Sequence, residues 1–205
     1  QDLFHVTILY NETPFLVSLG RLNYNIKDSL GKNGIYAKSH NSISINNLPY
    51  LPKKTNYFPI EYYQSDNIIN FYTDKNALSI ISNCFKRIND SMKVNRIAVI
   101  KKKNIIIEDI IEGRGISLVT KYFYLHNKFR LLSNKLINKS SRELEFIYHD
   151  NKIIFEILGK DIRKIKVILL HNNMEVYSYG KYNYCTGLKL EDKNKSPILY
   201  YIKIK

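Results

Sequence analysis

The chain has 205 residues, of which 44% are apolar and 13% aromatic, and this composition excludes a wholly disordered protein. Its 32 Lys and Arg against 18 Asp and Glu give a formal net charge of +14, which favours an anionic partner such as nucleic acid, acidic polysaccharide or a membrane surface. Two cysteines exclude a disulfide scaffold and a cysteine-rich zinc site, and no apolar run is long enough to predict a transmembrane helix.

The start of the chain shows no targeting segment. Gln1–His5 lacks the basic residues followed by an apolar stretch that mark a signal peptide. The chain also starts without Met, inside what reads as a strand. We therefore expect it to be a processed or trimmed fragment.

The residue types favour strands over helices. Ile, Asn and Tyr are frequent, whereas Ala, the best helix former, occurs at three positions only. Short apolar stretches separated by turn signals predict strands at His5–Tyr10, Phe15–Val17, Ser42–Ile45, Asn67–Tyr72, Val94–Ile100, Ile105–Ile111, Tyr122–Leu125, Leu144–Tyr148, Lys152–Leu158, Ile165–Leu170 and Ile198–Ile204. One helix is predicted, at Asp74–Asn83.

Antiparallel pairing is indicated where two such stretches flank a turn. Asn11–Pro14 reads as the turn of a first hairpin, and Lys101–Asn104 as the polar turn of the clearest hairpin in the chain. Many short strands in this arrangement predict an all-β fold, a large antiparallel β-sandwich with few or no helices. Because no linker and no internal repeat is visible, we interpret residues 1–205 as a single β-sandwich domain.

The sequence lacks the motifs of common metal and phosphate sites. It has no Gly-rich phosphate loop, HExxH pair, nucleophile elbow or zinc-finger spacing. Among five scattered histidines His40 stands out, because it precedes Asn41 at the start of a strand, where a side chain can face a cleft. Each of the other four reads as an ordinary surface or core residue.

Basic and aromatic clusters have simpler interpretations than binding. The run Lys101–Lys103 at a hairpin tip is typical of a solvated turn that protects a sheet edge. Aromatic rings can stack on sugars or bases, yet strand and core packing is the first interpretation for Tyr57-Phe58, Tyr62-Tyr63 and the tyrosines from Tyr177 to Tyr184. These patterns alone define a basic all-β domain.

Six motifs in a fixed order extend this interpretation. They are Thr13–Gly20, Leu22–Asn25, Lys38–Ile43, the hairpin from Arg96 to Asp109, Tyr122–His126 and Val176–Gly180. In this order they resemble the C-terminal β-sandwich domain of the heparinase II/III-like polysaccharide lyases. There a Pro-led strand and turn, a Tyr-rich loop and an Ala-His-Asn-Thr-like strand precede an Arg-led hairpin, a Phe-His-Leu strand and a Ser-x-x-Tyr-Gly element.

The resemblance implies cleavage of acidic polysaccharide by β-elimination. A base removes the C5 proton of a uronic acid, and the sugar linked at C4 leaves. The reaction requires groups that neutralise the charge of the uronic acid carboxylate, and a positioned base and acid, typically Tyr and His. By this resemblance His40 is the catalytic candidate. Asn41, Tyr24 and Arg96 are the substrate-binding candidates.

Departures from the family pattern limit what the resemblance implies. Family members carry an N-terminal α/α toroid with much of the catalytic machinery, and this chain lacks it. In metal-binding members two His and one Asp of the sheet domain hold zinc, whereas Ser18 stands at the expected Asp and only His40 is retained. A lone imidazole is a poor zinc site. We therefore expect no cofactor, and no elimination activity of this chain alone.

Three hypotheses follow for the function. The first is the sandwich module of a polysaccharide lyase, whose partners are an acidic polysaccharide and the absent toroid of the same protein. The second is a non-catalytic glycan-binding or polysaccharide-biosynthesis-associated relative that has lost the catalytic residues, which Ser18 favours. The third, a nucleic-acid binder, is disfavoured because the lysines are dispersed and no recognition motif occurs. The resemblance implies a periplasmic or secreted protein.

Overall fold

A computed structural model of the chain describes residues 3–20, 37–49, 54–55, 58–59, 66–86, 88, 92–102, 104–114, 116, 118–178, 181–193 and 198–204. In chain order, the strands are β1 (Ile8–Tyr10), β2 (Thr13–Val17), β3 (Ile43–Ile45), β4 (Leu48–Pro49), β5 (Lys54–Thr55), β6 (Phe58–Pro59), β7 (Asn67–Tyr72), β8 (Ala77–Ser82), β9 (Lys93–Lys101), β10 (Asn104–Glu112), β11 (Val119–Leu125), β12 (Arg130–Asn138), β13 (Ser141–Tyr148), β14 (Asn151–Leu158), β15 (Ile165–Ser178), β16 (Lys181–Asp192) and β17 (Ile198–Ile204). Three-residue 3-10 turns lie at Ala37–Ser39, Thr73–Lys75 and Ile162–Lys164.

The predicted all-β class is confirmed. The described strands form antiparallel sheets, consistent with a β-sandwich, and each strand predicted from the sequence overlaps an observed one. The sequence patterns missed β12, an edge strand whose side chains are mostly exposed and which mixes polar with apolar residues and lacks a regular alternation. They also underestimated β15, which continues to Ser178.

The helix predicted at Asp74–Asn83 is wrong. This stretch is a 3-10 turn at Thr73–Lys75, a left-handed Asn76 with φ 47°, and then β8. A left-handed residue ends helical geometry. Strand β8 lies between β7 and β9 and hydrogen-bonds to both, so its backbone groups are satisfied in the extended form, which its isoleucines also favour.

The chain divides into two compact units. Unit 1 comprises residues 1–63, 118–127 and 166–191. Its main sheet has the strand order β1-β2-β11-β16-β15, and β3 pairs with both β11 and β4. Strand β11 is central because it pairs antiparallel with β2 through Tyr124 and Val17, and with β3 through Lys121 and Ile43. This double pairing places the segment before β3 beside β2 and β11.

Unit 2 comprises residues 64–117, 128–165 and 192–205. Its sheet has the order β12-β13-β14-β17-β10-β9-β8-β7. Strands β9 and β10 pair residue for residue from Lys93 with Glu112 to Lys101 with Asn104, leaving a tight turn that starts at Lys102 with φ 50°. Tight hairpins favour such left-handed turns because their twist matches that of the strands. The predicted hairpin is therefore confirmed.

Candidate functional site

His40 lies in unit 1, at the end of the segment that leads into β3. Its imidazole is buried, with 7% of the residue exposed, and its Nδ1 shares a 2.9 Å hydrogen bond with the Ser18 hydroxyl just after β2. The Gly20 amide donates to the same hydroxyl at 3.4 Å. The ring is thus oriented by a neutral polar group at the position where the sequence resemblance expects an Asp.

The backbone around His40 is held by hydrogen bonds to neighbouring strands. The Leu19 amide donates to the Ser39 carbonyl at 3.0 Å, and the Ser42 amide donates to the His40 carbonyl at 2.8 Å. Tyr124 on β11 donates its phenol hydrogen to the Lys38 carbonyl. Burial raises the pKa of Tyr124, so this phenol stays protonated as a donor at neutral pH. His40 therefore lies on a fixed frame, and its imidazole is buried up to Nε2, whereas the sequence suggested a side chain that could face a cleft.

Asn41 is part of this frame. The residue is fully buried; its amide nitrogen donates to the Val6 carbonyl at 2.6 Å, and its side-chain oxygen accepts the Tyr124 amide hydrogen at 2.7 Å. Its backbone amide donates to Nδ1 of His5 at 3.1 Å. Both ends of the side chain are occupied, so a sugar contact would require these bonds to break. The placement gives Asn41 a structural role beside the catalytic candidate.

Replacing Asn41 with Leu should lower the free energy of unfolding by about 2–4 kcal/mol, because the buried Tyr124 amide and the part-buried Val6 carbonyl both lose their partner. Urea denaturation measures this loss. The matched control is Asn83→Leu, which removes two exposed 2.8 Å bonds, one from the Asp66 amide and one to the Asp66 carboxylate, and should cost clearly less. Equal losses in the two variants would contradict the role assigned to Asn41.

A second imidazole lies next to His40. The rings of His5 and His40 meet edge to face with centroids 5.6 Å apart. Nδ1 of His5 accepts the Asn41 amide hydrogen and its Nε2 bonds Thr7 Oγ1 at 3.0 Å, so neither His5 nitrogen is available to a metal without losing a bond. Ser18 adds only a neutral hydroxyl. The donors around His40 do not suit zinc, and the described residues hold no cluster of three or more metal-binding side chains.

Arg96 lies in unit 2 with 2% of the residue exposed, in β9 directly opposite Asp109 of β10. Its Nε donates to Asp109 Oδ1 at 2.6 Å and its Nη2 donates to Oδ2 at 2.8 Å. Both carboxylate oxygens are used in this two-point pair, and Asp109 is 1% exposed. This burial and pairing argue against direct contact between Arg96 and a polysaccharide.

Of the other sequence candidates, Tyr24 and the loop Leu22–Asn25 lie outside the described residues, as do Tyr57, Tyr62 and Tyr63. Lys102 lies at the hairpin tip and is exposed, as the interpretation of a solvated turn expects. The structure therefore shows a hydrogen bond between His40 and Ser18, and it places the adjacent Asn41 in the protein interior.

The sequence patterns missed a buried acidic residue in unit 1. Glu175 of β15 is 8% exposed, and its Oε1 lies 3.7 Å from Nε2 of His126. Burial raises the pKa of Glu175, while a hydrogen bond from the Asn127 backbone opposes the shift. Burial also raises the pKa of the nearby Cys185 thiol to about 12, with a further contribution from the Glu175 charge. Glu175 follows closely after the polar residues 171–173, so the local sequence gave no signal that its side chain is buried.

The raised pKa of Glu175 predicts a pH dependence of stability. A carboxyl whose pKa is higher in the folded state favours folding fully below its unfolded pKa, ordinarily about 4.5, and loses that contribution as the pH rises through the folded value. Glu175→Gln should therefore gain stability relative to the native chain as the pH rises from about 4.5 to neutral. Urea denaturation of both proteins across this range measures the difference, with His126→Gln as background to remove the imidazole charge. A difference that is flat with pH would contradict the prediction.

Comparison with solved structures identifies the fold. Heparan sulfate lyase HepC from Pedobacter heparinus superposes with a TM-score of 0.68 at 13% identity, over 98% of this chain and 30% of that chain. A crystal structure of heparinase III gives 0.66 at 14% identity, over 97% of this chain and 29% of that one. A heparinase III with methylated lysines gives 0.65 at 11% identity, over 97% and 28%. No family model and no curated protein matches the sequence.

These likenesses show a shared fold. They cover nearly the whole chain, so the resemblance to the heparinase-type sandwich drawn from ordered motifs is confirmed at the level of the fold. The chain spans about 30% of the length of the structures it matches. In the part of the chain that the structure describes, no helix combines the length and apolarity needed to cross a membrane.

Proposed function

We propose that residues 1–205 form the β-sandwich module of a polysaccharide-lyase-like protein that acts on or binds uronic-acid polysaccharide. The observation that supports this proposal is the fold likeness over 97–98% of the chain to proteins named heparan sulfate lyase and heparinase III. The net charge of +14 suits a polyanionic substrate. We further propose an exported protein, periplasmic or secreted.

In this proposal the module works together with an N-terminal α/α toroid of the same protein. The matched structures are about three times as long as this chain, which leaves room for such a domain. Elimination at a uronic acid requires removal of the C5 proton and protonation of the leaving oxygen. When Nδ1 of His40 donates to Ser18, Nε2 carries the lone pair and can accept a proton. His40 is the catalytic candidate of this proposal.

Three residues besides His40 are candidates for the recognition of substrate. Tyr24 remains a proposed substrate-binding residue by resemblance. Asn41 and Arg96 are proposed to act indirectly, because their polar groups are already committed to Val6, Tyr124 and Asp109. In this proposal the buried side chains of Asn41 and Arg96 stabilise the folded module and do not contact the substrate.

One observation favours a second candidate, a glycan-binding relative without catalysis. Ser18 stands where the resemblance expects a metal-binding Asp, and its hydroxyl holds His40 by a hydrogen bond and carries no charge. A module that has lost its metal can keep the fold and the polysaccharide surface. Elimination assays on the intact polypeptide distinguish the two candidates.

Binding tests the part of the proposal that both candidates share. The chain is applied to immobilised heparin and, as a matched control, to a sulfopropyl exchanger of equal charge density. We expect elution from heparin at clearly higher salt than from the exchanger, because organised charge recognises a polysaccharide beyond the net charge of the chain. Elution at the same salt from both columns would overturn the proposed recognition.

A further inference from the structure

A pocket of about 300 Å³ in unit 2 has no role in the site around His40. Three lysines line it: Lys139 from the turn between β12 and β13, and Lys160 and Lys164 from the segment after β14. Asp161 and Asp192 also line it. The volume is at the lower end of those that hold small ligands, which fits a single sugar unit.

The pocket is built on a fixed backbone. The Gly159 amide donates to the Ser140 carbonyl at 3.0 Å, and the Ile162 amide donates to the Lys139 carbonyl at 2.8 Å. These two bonds tie the turn before β13 to the segment after β14. Beneath that segment Ile162 and Ile165 are buried, with 0% and 4% exposed. The lysine backbones are therefore preorganised, which lowers the entropy lost on binding.

The charges of the pocket favour an anion. Asp161 is held by Arg163, whose Nε and Nη2 donate to its two carboxylate oxygens at 2.9 and 3.1 Å. Within the described part of the chain, none of the three lysine ammonium groups forms an ion pair. Asp161 is thus paired with its own arginine, and Asp192 is the second carboxylate of the lining. The three lysines together with Arg163 outnumber these two carboxylates, so an excess of positive charge remains beside the pocket.

The other lining groups favour an acidic sugar over a nucleic acid. Among the residues that the structure describes, no aromatic side chain lines this pocket, so none of them offers a base a surface on which to stack. The carboxylate oxygens of Asp161 and Asp192 can accept hydrogen bonds from sugar hydroxyls, which the phosphate oxygens of a nucleic acid cannot donate. Cations for one acidic group together with acceptors for hydroxyls match one residue of an acidic polysaccharide.

We propose that this pocket is a second glycan subsite, in which Lys139, Lys160 and Lys164 bind one sulfate or carboxylate group of an acidic oligosaccharide. The inference rests on the proposed function, because it assumes an acidic polysaccharide as partner. It goes beyond that function by assigning recognition to unit 2, through residues that take no part in elimination.

The test compares two double variants with the same change in net charge. Lys160→Gln with Lys164→Gln alters the pocket, and Lys93→Gln with Lys181→Gln alters two exposed lysines outside it. A heparin tetrasaccharide is titrated into the chain and followed by calorimetry and by amide NMR shifts. We expect the pocket variant to bind about tenfold more weakly, through lost charge-assisted contacts, and the control to change about twofold or less.

Further titrations distinguish a bound acidic sugar from a bound inorganic anion. Inorganic sulfate, a sulfated disaccharide and an unsulfated uronate disaccharide are titrated in parallel, and shifts at Gly159, Lys160 and Lys164 identify the ligand. Shifts with inorganic sulfate but with neither disaccharide would overturn a glycan subsite. Equal weakening in the two double variants, with tetrasaccharide binding otherwise intact, would overturn the subsite and leave the proposed function standing. No tetrasaccharide binding by the native chain would reject both.

Discussion

Replacing Arg96 with Met is expected to lower the free energy of unfolding by about 3–5 kcal/mol. The substitution leaves the Asp109 carboxylate in a site where it is 1% exposed and has lost both guanidinium hydrogen bonds. An uncompensated buried charge is among the most destabilising changes a point mutation makes. Urea denaturation at neutral pH measures the effect.

The control for this prediction removes the second charge as well. The double variant Arg96→Met with Asp109→Leu removes both charges of this pair, and apolar side chains fill a similar volume. Most of the lost stability should therefore return. Arg96→Lys should not rescue, because one ammonium cannot make the two-point contact. A single variant that loses less than about 1 kcal/mol would show that the pair does not support the sheet. Loss of polysaccharide binding with unchanged stability would restore the substrate-binding role predicted from the sequence.

The second large effect is expected on the rate of elimination. In the intact polypeptide, His40→Ala should reduce the rate of elimination about 10²–10⁴-fold, the usual contribution of a positioned general acid or base. The variant also loses the bond to Ser18 and leaves a small cavity, so its unfolding free energy is measured in parallel. Turnover within a few fold of the native protein would remove His40 from the mechanism.

Ser18→Ala separates positioning from catalysis. It removes the hydrogen bond to Nδ1 but leaves the imidazole in place. We expect a smaller loss of turnover, about tenfold, and a displaced pH profile, because the hydroxyl no longer stabilises one tautomer of the ring. A loss as large as that of His40→Ala, with an unchanged pH profile, would contradict this division of roles.

Most strand positions could be predicted because those strands carry their own local pattern. The hairpin of β9 and β10 was visible as two isoleucine-rich stretches around a lysine turn, and the structure pairs them residue for residue. The stretch Asp74–Asn83 misled because its apolar spacing also fits a helix. Its extended form is imposed by hydrogen bonds to β7 and β9, which the local sequence does not encode.

The candidate site could be predicted only in part. The motif Lys38–Ile43 indicated His40 and Asn41, and the structure shows that both are buried with different hydrogen-bond partners: Ser18 for His40, and Val6 and Tyr124 for Asn41. Which partners two adjacent polar residues find depends on segments distant in the sequence. The partner of Arg96 follows from register, since Asp109 faces it only when the hairpin closes at Lys102.

The most direct test of the account is elimination by the intact polypeptide that contains this chain. Heparan sulfate, hyaluronan, alginate and chondroitin are incubated separately, and the unsaturated uronate product is followed by its ultraviolet absorbance. A lyase module of the proposed kind predicts rising absorbance with at least one of these polymers and none with the same polymer after its carboxyl groups are reduced. Unchanged absorbance with all four, in a folded protein, would contradict a catalytic role for this sandwich.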